Sequence, residues 1–114
     1  MGEYSDRALD EVFFALSHRT RRRLLQQIAS APETRVTDLA RRHRISLNTV
    51  SKHLLILQRA RLVRRRVAGR EHFIRFEPAP LGGAEAWLRD QREFWNERLD
   101  ALAALFASNA RESQ

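Results

Sequence analysis

The stretch that decides the fold is "SLNTVSKHLLILQRARLVRRR", residues 46–66. It begins with a serine, a favoured helix N-cap, and continues with Val50, Leu54 and Leu57 at helical spacing. Leu47 and Ile56 widen this apolar face. The stretch ends in a run that alternates apolar and basic residues, a pattern typical of a β-strand. It therefore predicts an amphipathic helix followed directly by a cationic strand.

Helical patterns precede this stretch. Apolar residues at helical spacing predict two helices within residues 5–30, and a break near Pro32 separates them from a third, shorter helix. The sequence "RIS" forms a turn between this third helix and the helix that begins after Ser46. A short helix, a tight turn and a longer helix make a helix-turn-helix, which we place at residues 36–59.

A hairpin and a long helix are predicted downstream. The runs "LVRRRV" and "EHFIRF" flank a three-residue loop containing Gly69, and they predict a β-hairpin over residues 62–77. Helical spacing returns over residues 81–107. The fold class is therefore mainly α with a small β-hairpin: a winged helix-turn-helix, its helices packed around one core plus a C-terminal dimerisation helix. We expect residues 1–114 to form a single domain.

The positive charge is concentrated in the middle of the chain. The 114 residues carry a formal net charge of +7, and 20 of the 21 basic residues are Arg. Residues 36–76 hold eleven Lys and Arg against two acidic residues, whereas residues 82–114 hold four basic and six acidic ones. Charge segregated in this way indicates a cationic face for a polyanion beside a region with another role.

Several classes of protein are disfavoured by the composition. The chain has no cysteine, and no apolar run approaches the roughly 20 residues that a membrane helix needs. Its polar, acidic start is unlike a signal peptide, so we expect a soluble cytoplasmic protein that has no membrane partner. Because no catalytic motif such as G-x-S-x-G, a P-loop or HExxH occurs, we predict neither an enzyme nor a cofactor.

The predicted DNA contacts fall into two groups. The second helix of a helix-turn-helix enters the major groove with its N-terminal residues leading, and there Asn, Ser, Thr and Lys can reach base edges. The predicted groove contacts are Asn48, Thr49, Ser51 and Lys52, with His53 at the edge. The predicted backbone or minor-groove contacts are Arg64, Arg65, Arg66 and Arg70, followed by Arg41, Arg42 and Arg44.

Three parts of the chain resemble the ArsR-type bacterial winged-helix transcriptional repressors: "LSHRTRRRLLQQI", residues 36–78 and the closing helix. The most specific part is "VSKHLLILQRARLV", in which Arg61 replaces the usual glycine. The resemblance implies a homodimer, built from the first and last helices, that binds a palindromic operator in double-stranded DNA. The residues we assign to this interface are Leu9, Phe13, Trp87, Leu88, Phe94, Trp95, Leu99, Leu102, Leu105 and Phe106.

The resemblance also supplies a test for metal sensing. A family metal site falls at "ETRVTDL", where Arg35 and Thr37 occupy the cysteine positions, and a second family site lacks its histidines because none follows His72. We therefore expect no metal site. The aromatic stripe of the last helix could line a pocket for an unknown small-molecule effector, although at helical spacing it is more typical of a dimer core. An RNA-binding or a protein-interaction module using the same basic face remains the alternative function.

Overall fold

The computed structural model describes residues 5–112, with side chains to residue 111. They form α1 (Asp6–Leu16), α2 (Arg19–Ala29), β1 (Thr34–Arg35), α3 (Val36–His43), α4 (Leu47–Arg59), β2 (Val63–Ala68), β3 (Glu71–Phe76) and α5 (Ala79–Glu112). The chain divides into two compact units, residues 1–84 and 85–114. The order of elements is that of a winged helix-turn-helix, and the predicted fold class is confirmed.

The core of the first unit combines the apolar faces that the helical spacing predicted with Leu62, which follows α4, and Ile74 of β3. Its fully buried side chains include Leu24, Ile28, Leu39, Val50, Leu54, Leu57, Leu62 and Ile74. Ser5 caps α1 by accepting a hydrogen bond from the backbone N–H of Ala8 at 3.2 Å. Because α1, α2 and α4 each bury one stripe, the opposite face of α4 is left available to solvent.

The turn between α3 and α4 depends on a left-handed residue. Arg44 has φ 54°, and the backbone N–H of Ile45 donates to the carbonyl oxygen of Ala40 at 3.1 Å. This 6→1 hydrogen bond closes α3 in a Schellman motif. Ser46 then begins α4, its Oγ accepting from the N–H of Thr49 at 3.1 Å. The helix axis therefore changes direction within three residues.

The wing is a three-stranded antiparallel sheet of order β1-β3-β2 rather than an isolated hairpin. No sequence pattern predicted β1, since two residues are too few to show alternation; in the structure Thr34 pairs with Ile74. The predicted three-residue loop is also wrong. Ala68 pairs with Glu71, leaving the two-residue turn Gly69–Arg70, and a positive φ at Gly69 alone is the pattern of a type II′ turn.

The last helix is longer than the predicted range of 81–107, because it begins at Ala79 and ends at Glu112. Pro80 lies in its first turn, where proline is tolerated since the N–H it lacks would have no helical partner. The second unit, residues 85–114, is described over 85–112 and is a continuous part of this helix. No helix within the described residues is both long and apolar enough to cross a membrane.

Candidate nucleic-acid interface

The first two turns of α4 present a polar surface to solvent. Asn48, Thr49 and Lys52 are exposed, and Ser51 is half-buried, one turn after Leu47. The Thr49 hydroxyl accepts a hydrogen bond from Oγ of Ser46 at 2.9 Å, so it is oriented by the N-cap. Because the apolar stripe of α4 is buried behind them, these side chains occupy the leading edge that can enter a groove of DNA.

A cationic groove of about 390 Å³ lies beside this edge, between α4 and the wing. It is lined by Arg35, Val36, Thr37, Leu47, Ser51, Arg65, Arg70, Glu71 and His72. Three of these are arginines, against one carboxylate. The structure therefore places Ser51, Arg65 and Arg70, which are far apart in the sequence, along one depression suited to an anionic backbone.

Arg65 is held in the groove by two hydrogen bonds. Its Nη1 donates to Nδ1 of His72 at 3.2 Å, and its Nη2 donates to Oε1 of Gln58 at 3.3 Å. Gln58 lies on α4, the recognition helix of the helix-turn-helix, and His72 lies on β3. Arg65 therefore connects the recognition helix with the wing. Because neither acceptor is a carboxylate, Arg65 is fixed without an ion pair that would offset its charge, and less of its side-chain entropy remains to be lost on binding an anion.

The other wing arginines lie on the opposite face of the sheet. Arg66 donates to both carboxylate oxygens of Glu33, at 2.9 and 2.7 Å, and its guanidinium lies 4.5 Å from the ring centroid of Phe73. This hydrogen bond holds the pKa of Glu33 below its usual range. Arg64 pairs with Glu77 at 3.2 Å. Alternation along β2 is the cause, since neighbouring residues of a strand point to opposite faces.

β2 divides the four wing arginines that were predicted to contact one ligand, and that assignment stays a prediction. Arg65 and Arg70 line the groove, whereas Arg64 and Arg66 do not line it and are engaged by Glu77 and Glu33. Arg35, which the sequence analysis considered only as a replaced metal ligand, joins the groove and forms an ion pair with Glu71 at 3.3 Å. No sequence signal marked Arg35, because β1 brings it to the wing.

The arginines of α3 form a separate exposed group at the end of that helix. Arg41 contacts Asp38 at 3.6 Å, one turn earlier, and both side chains are substantially exposed. Arg42 and Arg44 are exposed as well. An exposed ion pair of this type contributes little to stability, so these side chains can exchange partners at little cost.

His53, which was predicted at the edge of the DNA face, is half-buried and contacts α2. Its Nδ1 accepts a hydrogen bond from Nη1 of Arg21 at 3.3 Å, and its ring lies 4.8 Å from that of His18. Desolvation, together with the charges of His18 and Arg21, lowers the pKa of His53. The ring is therefore a neutral acceptor that joins α4 to α2.

Arg21 is buried, with 6% of its surface exposed, and it connects three helices. Its Nε donates to the carbonyl oxygen of Ala15 at 2.9 Å and its Nη2 to that of Phe14 at 3.1 Å. These carbonyls belong to the last turn of α1, where the helix dipole favours a cation. With its bond to His53, the guanidinium fixes the end of α1 against α4.

The histidines that could have served metals are committed to separate structural contacts. His18 caps α2, with its Nδ1 accepting from the N–H of Thr20 at 3.1 Å, and His43 donates from Nε2 to Oε1 of Gln27 at 2.8 Å. Burial, followed by the charges of Arg42 and Arg23, lowers the pKa of His43. Across residues 5–112 no three His, Cys, Asp or Glu side chains assemble into a metal-binding group.

The residues predicted for a dimer interface differ in their exposure. Leu9 is only 6% exposed and belongs to the core of the first unit, so a partner has almost no surface of it to contact. On the same helix Phe14 is more exposed than Phe13, and the sequence analysis had passed it over. In the second unit, large exposed apolar side chains are Leu88, Phe94, Trp95, Leu99, Leu102, Leu105 and Phe106, and Trp87 is half-buried.

Comparison with known proteins places this fold in a defined class. Residues 16–66 match the family model described as a helix-turn-helix domain. The chain is 35% identical, over 102 residues, to the HTH-type transcriptional regulator Rv2034 of Mycobacterium tuberculosis, covering 90% of this chain and 92% of that protein.

Two solved structures extend the likeness to three dimensions. An ArsR-like transcriptional regulator from Rhodococcus sp. RHA1 has a TM-score of 0.79 and 33% identity, over 89% of this chain and 92% of that one. A homodimeric winged helix-turn-helix DNA-binding domain from Mycobacterium bovis has a TM-score of 0.60, over 82% of this chain and 94% of that one. At 24% identity it shows the fold alone.

The fold and the cationic groove beside an exposed recognition helix define a winged helix-turn-helix transcriptional regulator, a class that binds DNA and is not enzymatic. Given the identity and coverage of its relatives, the chain belongs to the ArsR family, which confirms the resemblance seen in the sequence.

Proposed function

We propose that the protein is a homodimeric, metal-independent repressor that binds a palindromic operator in double-stranded DNA. The observation that carries the proposal is the groove between α4 and the wing, where Ser51, Arg65 and Arg70 converge beside the exposed edge of the recognition helix. Repression, rather than activation, rests on the family resemblance.

In this proposal the leading edge of α4 supplies sequence selectivity. Asn48 is exposed on the first turn and carries the amide that can bond to both N6 and N7 of adenine. Ser51 and Lys52 lie three and four residues further on, next to it on the helix surface, so they can reach neighbouring base edges or phosphates. Thr49, oriented by Ser46, is suited to a phosphate oxygen.

The groove arginines supply affinity that does not depend on sequence. Arg65 and Arg70 are directed at the DNA backbone, and release of counterions from neutralised phosphates makes their contribution sensitive to salt. Arg64 and Arg66 are assigned no contact in the groove, since neither side chain lines it and each is turned toward a carboxylate, Glu77 and Glu33 respectively. Arg41, Arg42 and Arg44 are secondary phosphate contacts.

The proposed dimer uses the apolar residues of the second unit. Residues 88–106 expose leucine and aromatic side chains at helical spacing, and an exposed apolar surface of this kind marks an interaction site. A second copy is the proposed partner because the family resemblance implies a homodimer built from the first and last helices. Phe13 and Phe14 of α1 are proposed as a further part of the interface.

Metal independence follows from the side chains at the family's metal positions. Arg35 forms an ion pair with Glu71, and Thr37 lies with it in the cationic groove. A guanidinium cannot ligate a divalent cation, because it has no lone pair to donate and repels the ion.

The test starts from a randomised pool of duplexes selected for binding. Fluorescence anisotropy at physiological salt then compares the selected duplex with its shuffled sequence. A preference of about a thousandfold or more is expected for a sequence-specific regulator. Equal, salt-sensitive affinity for the two duplexes would leave only a non-specific nucleic-acid binder. Absence of binding to either would favour a protein-interaction module.

Two variants separate the proposed roles. Asn48→Ala should cost about 1–3 kcal/mol on the selected duplex and little on the shuffled one, because only the former presents the base it reads. Arg65→Ala should weaken binding to both duplexes alike. Equal loss on the two duplexes for Asn48→Ala would remove Asn48 from the base contacts.

A further inference from the structure

Leu47, the first residue of α4, is an apolar side chain in a polar surface. The sequence analysis assigned it to the buried face of the helix, but 51% of its surface is exposed. The buried stripe of α4 consists instead of Val50, Leu54 and Leu57. Leu47 lies beside Asn48 at the N-terminal end and lines the cationic groove.

The position of Leu47 on the helix directs it toward the same ligand as its polar neighbours. Ser51 follows it by four residues, so the two side chains are adjacent on one face, and both line the groove with Arg65. Leu55 continues this row one turn later and is 48% exposed, but it does not line the groove. The chain thus provides two exposed leucines on one helix, of which only one faces the proposed DNA site.

The chemistry of the major groove limits what Leu47 can contact. The base edges there are hydrogen-bond donors and acceptors, which an isobutyl group cannot satisfy, and the C5 methyl of thymine is their apolar group. Burial of an apolar side chain against that methyl is favourable, whereas burial against a donor or acceptor leaves the polar group without a partner. A leucine at the leading edge therefore favours thymine over the other bases.

We propose that Leu47 is a specificity-determining residue that reads a thymine through its C5 methyl group in the major groove. This inference rests on the proposed function, since it needs α4 to enter that groove. Selectivity would then combine an apolar contact from Leu47 with hydrogen bonds from Asn48. The operator accordingly contains a thymine whose methyl group, apart from its pairing edge, contributes to affinity.

Uracil provides a probe that removes only this methyl group. Each thymine of the selected duplex is replaced in turn by uracil, and Kd is measured by anisotropy for the unaltered protein, Leu47→Ala and Leu55→Ala. For the unaltered protein we expect a loss of about threefold to fivefold at a thymine, the size that burial of one methyl group gives. Leu47→Ala should bind both versions equally, and Leu55→Ala should retain the discrimination. Circular dichroism melts check that both variants are folded.

The outcomes distinguish this inference from the function on which it rests. If a selective duplex is obtained but no uracil replacement weakens binding, Leu47 reads no methyl group and the inference is overturned while the proposed function stands. A uracil effect that persists in Leu47→Ala would overturn it equally, since another residue must then contact the methyl. If the pool yields no preferred duplex, both the proposed function and the inference fail.

Discussion

Replacement of Arg61 by glycine should stabilise the protein. Arg61 has φ 60°, in the left-handed region, where it follows the last turn of α4. Its N–H donates to the carbonyl oxygen of Gln58 at 2.9 Å, and the N–H of Leu62 donates to that of Leu57 at 3.1 Å. These two bonds form a Schellman motif, whose left-handed position is usually glycine. Arginine there keeps the hydrogen bonds but brings its Cβ close to the backbone.

The size of the gain follows from two opposing terms. A left-handed conformation costs a residue with a Cβ about 1–2 kcal/mol, which glycine avoids. Glycine also gives the unfolded chain more freedom, which offsets about 0.5–1 kcal/mol. The midpoints of these two ranges give a net stabilisation of about 0.75 kcal/mol, within a span of about 0–1.5 kcal/mol. For a chain of this length that corresponds to a rise in Tm of roughly 2–5 °C.

The measurement compares the Tm and the free energy of unfolding of Arg61→Gly and Arg61→Ala, by thermal and urea unfolding at one fixed protein concentration. Alanine removes the same exposed guanidinium but keeps the Cβ, so Arg61→Ala should remain within about 0.5 kcal/mol of the unaltered protein. A fixed concentration is needed because the proposed dimerisation would make Tm depend on it. The reasoning is refuted if Arg61→Gly is no more stable than Arg61→Ala, because the left-handed backbone would then carry no measurable cost.

Three further predictions concern the interface, the histidines and the second unit. Arg65→Ala should reduce the slope of log Kd against log salt concentration by about one, whereas Arg66→Ala, on the other face of β2, should leave the slope unchanged. Equal slopes for the two variants would contradict the assignment of DNA contacts to Arg65 and not to Arg66. Because the pKa of His53 is lowered on folding, the folded state binds fewer protons than the unfolded state. The stability that the neutral ring provides is complete above about pH 6.5 and is lost as the pH falls through the folded pKa. Urea melts of His53→Gln should therefore show a smaller decrease in the free energy of unfolding between pH 7.5 and 5.5 than those of the unaltered protein. Trp95→Ala should raise the dimer dissociation constant in sedimentation equilibrium, and an unchanged constant would remove this side chain from the proposed interface.

Much of the fold could be predicted because the relevant signals are local. Val50, Leu54 and Leu57 follow the helical period, Ser46 has the side chain that an N-cap needs, and both features act within a few residues. The bounds of α3 and α4, Val36–His43 and Leu47–Arg59, accordingly fall within the predicted helix-turn-helix range of 36–59.

The features that the sequence did not indicate lie where a contact between distant segments decides the outcome. Thr34 becomes a strand residue only because β3 offers it a partner forty residues later, and the propensity of two residues cannot show this. His53 turns toward α2 because Arg21 donates to it, and the sequence gives no sign of that pairing. Leu9 was assigned to a partner chain because an apolar residue at helical spacing fits a protomer core and a dimer interface equally well.

By itself, the sequence determined the order of the helices and of the hairpin strands, the helix-turn-helix and the family, since spacing, capping and motif are properties of consecutive residues. Only the tertiary structure decided which charges meet. It directed Arg65 into the groove with Ser51 and Arg66 away from it toward Glu33, because strand pairing and packing set the direction in which each face of β2 points. It also left Leu47 exposed, because the buried stripe of α4 was already complete without it.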